Sequence, residues 1–359
     1  MLNLIDHALK SPLARILTWP HTPESYLEFL APKVGGKSVK ATVKAVRQET
    51  DRAASLVLAP NHRWDGHVPG QYVSLTVSLN GRRHTRCFTV SAVEDGCPVV
   101  TIQSHANGKV SNWANESVWV GDTVEISQAC GDFVLPAQLP ERFLLIAGGS
   151  GITPVRALTD ALVAADYAGQ VDILYYVPAA KDAIFLAHLK AVTESHPNFR
   201  LHLVKTRDTR SKLQGHFSAA HLKAIGADIG GSAAYVCGPA GLIEAVEQHW
   251  TDAGQASRLT LERFQAVKAP AITDAAGMPV EFTDSGVTTT APGRTLLEAA
   301  EGAGLTPNNG CRQGICRTCT CRKTSGQVRD IRTGELSGTG EEDIAICVSV
   351  PVTPVTIEL

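Results

Sequence analysis

Cys311, Cys316 and Cys319 stand in a C-x4-C-x2-C array, and Cys347 follows further along the chain. Four thiolates in this pattern suit a [2Fe-2S] cluster. Two irons sharing two sulfides need two thiolates each; a tight loop brings three together and a distant strand end supplies the fourth. Gly310 and Gly314 let the backbone approach, so that N–H groups face the sulfurs and stabilise the reduced, more negative state. Structural zinc also takes four thiolates, but zinc ribbons favour two C-x2-C knuckles and here there is one. Cys321 is expected to be a buried thiol on the following strand, not a ligand.

Four further strings carry chemistry. RCFTVS at 86–91 puts an arginine, an aromatic and a hydroxyl on one strand: a phosphate contact, a ring for a flat heterocycle and a hydrogen-bonding group. GKVSNW at 108–113 runs from a glycine turn into a helix start, where Lys109, Ser111 and N–H groups suit a pyrophosphate. Taken singly, the same strings also describe an ordinary half-exposed strand and an ordinary helix cap. LLIAGGSGITPV at 144–155 is a buried strand running into a Gly-rich turn and a helix, the arrangement that admits a dinucleotide, although its spacing is not G-x-G-x-x-G. YVCGPAG at 235–241 ends a further strand, where α/β ligands bind; Cys237 reads either as a small buried residue or as a sulfur beside a nicotinamide.

These residues need elements to hold them. Between 39 and 138, short alternating runs separated by Pro69-Gly70, Asn80-Gly81 and Asp95-Gly96 predict a small antiparallel barrel. Between 139 and 264, buried apolar runs alternate with helical stretches, which predicts an α/β domain with a parallel sheet. A linker at 265–275 leads to a compact domain at 276–359, with strands near 278–283 and 287–291 and a helix near 295–303. Its small size suits stabilisation by a metal centre. Residues 1–38 form an extension with near-helical apolar spacing broken by prolines, read as a helix packed on its neighbour's surface in preference to one touching a membrane.

Composition narrows the function. With 359 residues, 44% hydrophobic and 19% charged, the chain is not a mostly disordered one. The balance of 33 basic to 35 acidic residues gives no bulk attraction to nucleic acid. Cysteines crowded in one loop point to metal ligation in a reducing compartment, and no signal peptide or membrane span stands out, so a cytoplasmic location is expected, with the monomer as the expected state.

In this order, the strings resemble the ferredoxin-NADP reductase superfamily with a plant-type ferredoxin fused at the C-terminus, over about residues 39–359. The resemblance implies an FAD-binding barrel, an NAD(P)-binding α/β domain and an α+β, β-grasp ferredoxin domain. It implies that Arg86, Cys87, Phe88 and Thr89 contact the flavin, with Thr89 near its N5 and Phe88 replacing the family's tyrosine, which keeps the stacking surface without the hydroxyl. Gly108, Lys109, Val110 and Ser111 match the segment holding the FAD pyrophosphate, which favours FAD over FMN. Gly148, Gly149, Gly151, Thr153 and Pro154 match the nicotinamide-nucleotide loop, and Cys237, Gly238 and Pro239 the family's CGP motif. LERF places Glu262 near the nicotinamide and Phe264 near the flavin ring, so Thr89, Cys237, Glu262 and Phe264 would surround hydride transfer.

Thr206-Arg207 resembles the Ser-Arg pair of NADPH-using members, while Val177-Pro178 stands where a loop arginine is common. NADPH is preferred and NADH stays open. The function implied is that of an oxidoreductase passing electrons from NAD(P)H through FAD and the cluster to a partner protein. A flavin belongs between a two-electron donor and a one-electron acceptor. The tail and the N-terminal HTPESYLEFL resemble reductase partners of membrane di-iron fatty-acyl desaturases and alkane hydroxylases, implying fatty acid desaturation and peripheral contact with a membrane-bound partner. A soluble ring-hydroxylating or phenylacetyl-CoA oxygenase, a redox sensor, and a plain flavin diaphorase with structural metal are the alternatives. Arg312, Arg317, Arg322 and Lys323 flank the cysteines and are expected either to dock an acidic partner or to form a solvated face.

Overall fold

The computed structural model describes residues 39–106, 108–208, 213–264, 277–310, 312, 314 and 318–359. The expectations for the 1–38 extension, for 265–275 and for Cys311, Cys316 and Arg317 lie outside these residues. Residues 39–84 and 88–262 belong to one compact unit, and 85–87 with 263–359 to another.

Six strands, β1 (Val39–Thr50), β2 (Ala53–Pro60), β3 (Tyr72–Leu79), β4 (Arg82–Glu94), β5 (Cys97–Gln103) and β6 (Thr123–Ile126), close a barrel in the order β1-β2-β5-β4-β3-β6. Asn80-Gly81 and Asp95-Gly96 make two of the tight hairpins, each pair with positive φ at both positions, as two-residue turns of this hand require. Alternation sends Val39, Ala41 and Val43 inward along β1, onto a core with Leu56, Leu75 and Ile102. Helix α1 (Lys109–Glu116) contributes Val110 and Ala114 to that core, and Asn115 Nδ2 ties it to Ile102 O of β5 at 3.0 Å.

In the same unit, β7 (Arg142–Gly148), β8 (Gln170–Val177), β9 (Phe199–Lys205), β10 (Ala233–Gly238) and β11 (Leu259–Arg263) form a sheet in the order β11-β10-β7-β8-β9. β7 lies parallel to β8 and β10, and β8 to β9. The near-continuous burial of β7 and β8 explains their unbroken apolar runs, because strands covered on both faces have no polar side to show. Helices α2 (Ile152–Ala164), α3 (Leu186–Ser195), α4 (Ala219–Ile225) and α5 (Ala240–Asp252) connect them.

The second unit carries β12 (Met278–Phe282), β13 (Val287–Ala291), helix α6 (Leu296–Gly302), β14 (Thr320–Ser325), β15 (Val328–Asp330), β16 (Glu342–Ala345), β17 (Ser349–Pro351) and β18 (Val355–Ile357). A mixed sheet runs β13-β12-β18-β14-β16, beside a β15–β17 pair. A capping box starts α6: Glu298 N donates to Thr295 Oγ1 at 3.3 Å, and Thr295 N to Glu298 Oε2 at 3.0 Å. The helix buries Leu296 and Leu297 in the domain core, each worth about 1.5–3 kcal/mol.

Candidate functional site: a nucleotide crevice and a cysteine loop

The parallel sheet has its switch point between β7 and β10. The chain proceeds from β7 to β8 and β9 on one side, then returns to place β10 on the other. Ligands of such sheets bind in the crevice beyond the carboxyl ends at this point. Both Gly-rich strings meet there. A Cβ on Gly151 would lie 2.1 Å from Cys237 O, and one on Gly148 would lie 2.7 Å from both Leu242 Cδ2 and Pro239 Cδ. Only glycines let the two strand ends approach this closely.

Gly149 and Gly151 bound a single 3-10 turn before α2, and Tyr175 of β8 supports it, its hydroxyl donating to Gly149 O at 3.2 Å and accepting from Ile184 N at 3.1 Å. Sequence reasoning missed Tyr175. The available signal was a pair of tyrosines, Tyr175 and Tyr176, near the end of a largely apolar strand. Thr153, in the first turn of α2 beside Pro154, donates to Ser150 O at 3.0 Å and lies 3.4 Å from Thr89 Oγ1 of β4. Both threonines are buried, so one hydroxyl pair joins the barrel's Arg-x-Phe-Thr strand to the nucleotide loop. Phe88 is partly buried against the barrel core. Arg86 and Cys87 precede it on β4, with Arg86 Nη1 donating to Thr85 O at 2.7 Å.

Cys237 is fully buried at the end of β10, and its Sγ lies 4.0 Å from Glu262 Oε2 on β11. Burial pushes the Glu262 carboxyl up to about 8. Burial, and then the nearby Glu262 charge, push the Cys237 thiol well above its ordinary value. Both groups therefore hold their protons at neutral pH. Phe264 follows β11 directly and falls with the second unit.

The segment expected to hold a pyrophosphate lies at the start of α1. Gly108 caps α1 with no side-chain hydrogen bond, which leaves the N–H groups of the first turn for a ligand, and Lys109 is exposed beside them. Ser111 Oγ turns back to Gly108 O at 3.3 Å. Thr206 and Arg207 follow β9, and their amides bond Val177 O at 2.8 Å and Pro178 O at 3.3 Å. This brings Arg207 to the end of β8.

In the second unit, Cys319 and Cys347 are buried, and Gly314 N donates to Cys347 Sγ at 3.2 Å. An N–H aimed at a buried cysteine sulfur fits a thiolate ligand of an anionic centre. Cys321 lies on β14, partly buried, with burial pushing its thiol up to about 11. The described cations near the loop are engaged within the domain, and one of them, Lys323, is buried and so fits neither a docking face nor a solvated one. Arg312 makes a two-point pair with Glu301, Arg322 pairs with Glu341 at 2.9 Å and Asp343 at 3.6 Å, and Lys323 is fully buried. Its ammonium donates to Gly338 O and Gly340 O and lies 3.2 Å from Glu342 Oε1.

The Oxidoreductase NAD-binding domain family matches residues 145–248, and the 2Fe-2S iron-sulfur cluster binding domain family matches residues 280–352. The second match decides for the cluster against zinc. An "NADPH oxidoreductase" of Mycobacterium tuberculosis is 34% identical over 351 residues, 96% of this chain and 90% of its own length. The chain belongs to the ferredoxin-NADP reductase superfamily, in the branch with a C-terminal 2Fe-2S domain.

This reductase also resembles the "Glycine betaine monooxygenase reductase subunit" of Chromohalobacter salexigens, 28% identical over 319 residues, 81% of this chain and 86% of that one. Among solved structures, phthalate dioxygenase reductase shares the fold, with a TM-score of 0.60 at 20% identity over 90% of this chain and 98% of that one. The reductase is thus an oxidoreductase using a nicotinamide nucleotide, a flavin and a 2Fe-2S cluster. No helix among its described residues is long and apolar enough to cross a membrane.

Proposed function

We propose that this reductase takes electrons from NADPH, passes them through FAD and the 2Fe-2S cluster, and delivers them singly to a partner oxygenase, with a membrane di-iron fatty-acyl desaturase or hydroxylase as the acceptor. The observation that carries the reading is the switch-point crevice, where the nucleotide loop meets Cys237–Glu262 on one side and Thr89 on the other. When bound, the flavin accepts a hydride and releases electrons one at a time.

The chain's residues position and shield that exchange. Gly148, Gly149 and Gly151 admit the dinucleotide to the backbone, with Thr153 and Pro154 opening the helix whose N-terminus faces its pyrophosphate. Cys237, Gly238 and Pro239 form the opposite lip, and the protonated Glu262 offers a hydrogen-bond donor without a charge that would repel phosphate or carboxamide oxygen. Thr89, with Thr153 as its hydrogen-bond partner, would offer its hydroxyl to the flavin. Residues 86–88 supply a cation and an aromatic face. FAD is favoured over FMN because the uncapped start of α1, with Gly108, Lys109, Val110 and Ser111, suits a second phosphate.

NADPH is favoured because Arg207 is bonded beside Pro178, next to the place of the missing loop arginine, so one cation just after β9 serves the 2'-phosphate in its stead. The name of the M. tuberculosis relative agrees with that choice. The desaturase as acceptor rests on the sequence resemblance of the tail and of HTPESYLEFL. A soluble oxygenase is the second reading, favoured by the glycine betaine monooxygenase relative. The deciding experiment is reconstitution of the holoprotein with each acceptor in turn. NADPH oxidation coupled to product is expected with a desaturase in vesicles; coupling to a soluble oxygenase alone overturns the choice.

A further inference from the structure

Arg332 belongs to none of the motifs, yet it is tied by hydrogen bonds to the cysteine loop. β15 and β17 pair with Asp330 opposite Ser349, and Ile331 N donates to Val348 O at 2.9 Å. This register lays the turn after β15 against the residues following Cys347. There Arg332 folds back onto Asp330, with Nε 3.1 Å from Oδ1 and Nη2 2.6 Å from Oδ2. Its Nη1 donates to Gly314 O at 3.0 Å, and Gly314's own N–H donates to Cys347 Sγ at 3.2 Å.

The contact is close as well as polar. Gly314 has φ of +72°, and a Cβ there would lie 2.7 Å from Arg332 Cζ, so the guanidinium rests on the Gly314 backbone where any side chain would stand. Burial pushes the Asp330 carboxyl up, but hydrogen bonds and charge from Arg332 outweigh it and hold it below the usual carboxylate range. The pair is ionised across the neutral range.

We propose that Arg332 is a positioning residue for the iron-sulfur centre: anchored by Asp330, it holds the Gly314 backbone by its carbonyl so that the N–H on the other side of the same residue bonds the Cys347 sulfur, and it thereby raises the cluster's reduction potential. The proposal rests on cluster ligation by the four cysteines and not on which protein accepts the electrons. One-electron reduction, here by the chain's own reduced flavin, adds one negative charge and no proton, and part of that charge falls on the thiolate sulfurs. A held N–H dipole and a nearby fixed cation stabilise the added charge more than they stabilise the oxidised state.

The test uses the full-length holoprotein and its R332M, R332Q and R332K variants. Iron and sulfide analysis comes first, and a sample that binds zinc instead disproves the cluster assignment rather than this proposal. Potentiometric titration, followed by EPR of the reduced cluster, then reads the effect. R332M and R332Q are expected to lower the equilibrium constant for reduction about tenfold, about 59 mV more negative for one electron. R332K, which keeps the charge without the planar fork, falls between them and the wild type. ENDOR in H2O and D2O is expected to show weaker coupling of the exchangeable proton near the cluster sulfur in R332M. A cluster-replete R332M with the wild-type potential overturns the proposal. If R332M and R332Q fail to load the cluster, R332K decides: a wild-type potential with unchanged proton coupling overturns it equally.

Discussion

The Cys237 thiol faces the Glu262 carboxyl at 4.0 Å, and each keeps its proton at neutral pH because the crevice is poorly solvated. Glu262 carries the clearer pH signature. Its folded value of about 8 stands above the ordinary 4.5, so between those limits the folded protein keeps a proton that the unfolded chain releases. Stability contributed here is intact below pH 4.5, falls as pH rises, and levels off above about 8. Glu262→Gln is expected to flatten that slope and to be the more stable protein at pH 8, by on the order of a few kcal/mol at most. Denaturant midpoints across pH 5 to 9 provide the check.

Gly151→Ala is expected to disrupt the crevice from inside. Its Cβ would meet Cys237 O at 2.1 Å, so β7 and β10 must part or the turn must move. The expected costs are about 1–3 kcal/mol of stability and a KM for NADPH raised tenfold or more, with the cluster's visible spectrum retained. Thermal unfolding and steady-state kinetics on one preparation measure both.

Arg207→Ala tests nucleotide choice. A charge-assisted contact of about 1.5–3 kcal/mol corresponds to a loss of about 10- to 100-fold in kcat/KM for NADPH, with that for NADH little changed. An unaltered ratio between the two would show that the 2'-phosphate is held elsewhere.

Cys311→Ser is expected to abolish electron delivery to the acceptor while NADPH still bleaches the flavin at the wild-type rate. Stopped-flow absorbance resolves the two events. Simultaneous loss of both would mean that the relay order is wrong.

Lys323→Met removes a buried ammonium from two carbonyls and a carboxylate. The second unit is expected to lose about 3–5 kcal/mol, seen as earlier loss of cluster absorbance in denaturant, with the nucleotide sheet unaffected.

The sequence carried much of this because its signals were local. Asn80-Gly81 and Asp95-Gly96 announced hairpins by turn chemistry, the apolar runs of β7 and β8 announced a covered parallel sheet, and cysteine spacing announced the cluster. What it hid depends on contacts between distant segments. Lys323 reads as one more surface cation until β14 is seen to point it at Gly338 and Gly340. Tyr175 and Arg332 likewise gain meaning only from the backbone they touch, at Gly149 and Gly314.

The contact between Gly148 and the Pro239–Leu242 turn also bears on how such a protein is altered by design. Neither strand end has room for a side chain, so substitutions in one loop demand compensation in the other, and libraries built on these residues will be mostly inactive. Arg207 stands at the same sheet edge but is exposed. With Arg207 in the role proposed for it, coenzyme preference is open to redesign at the rim, whereas the throat of the crevice tolerates little change.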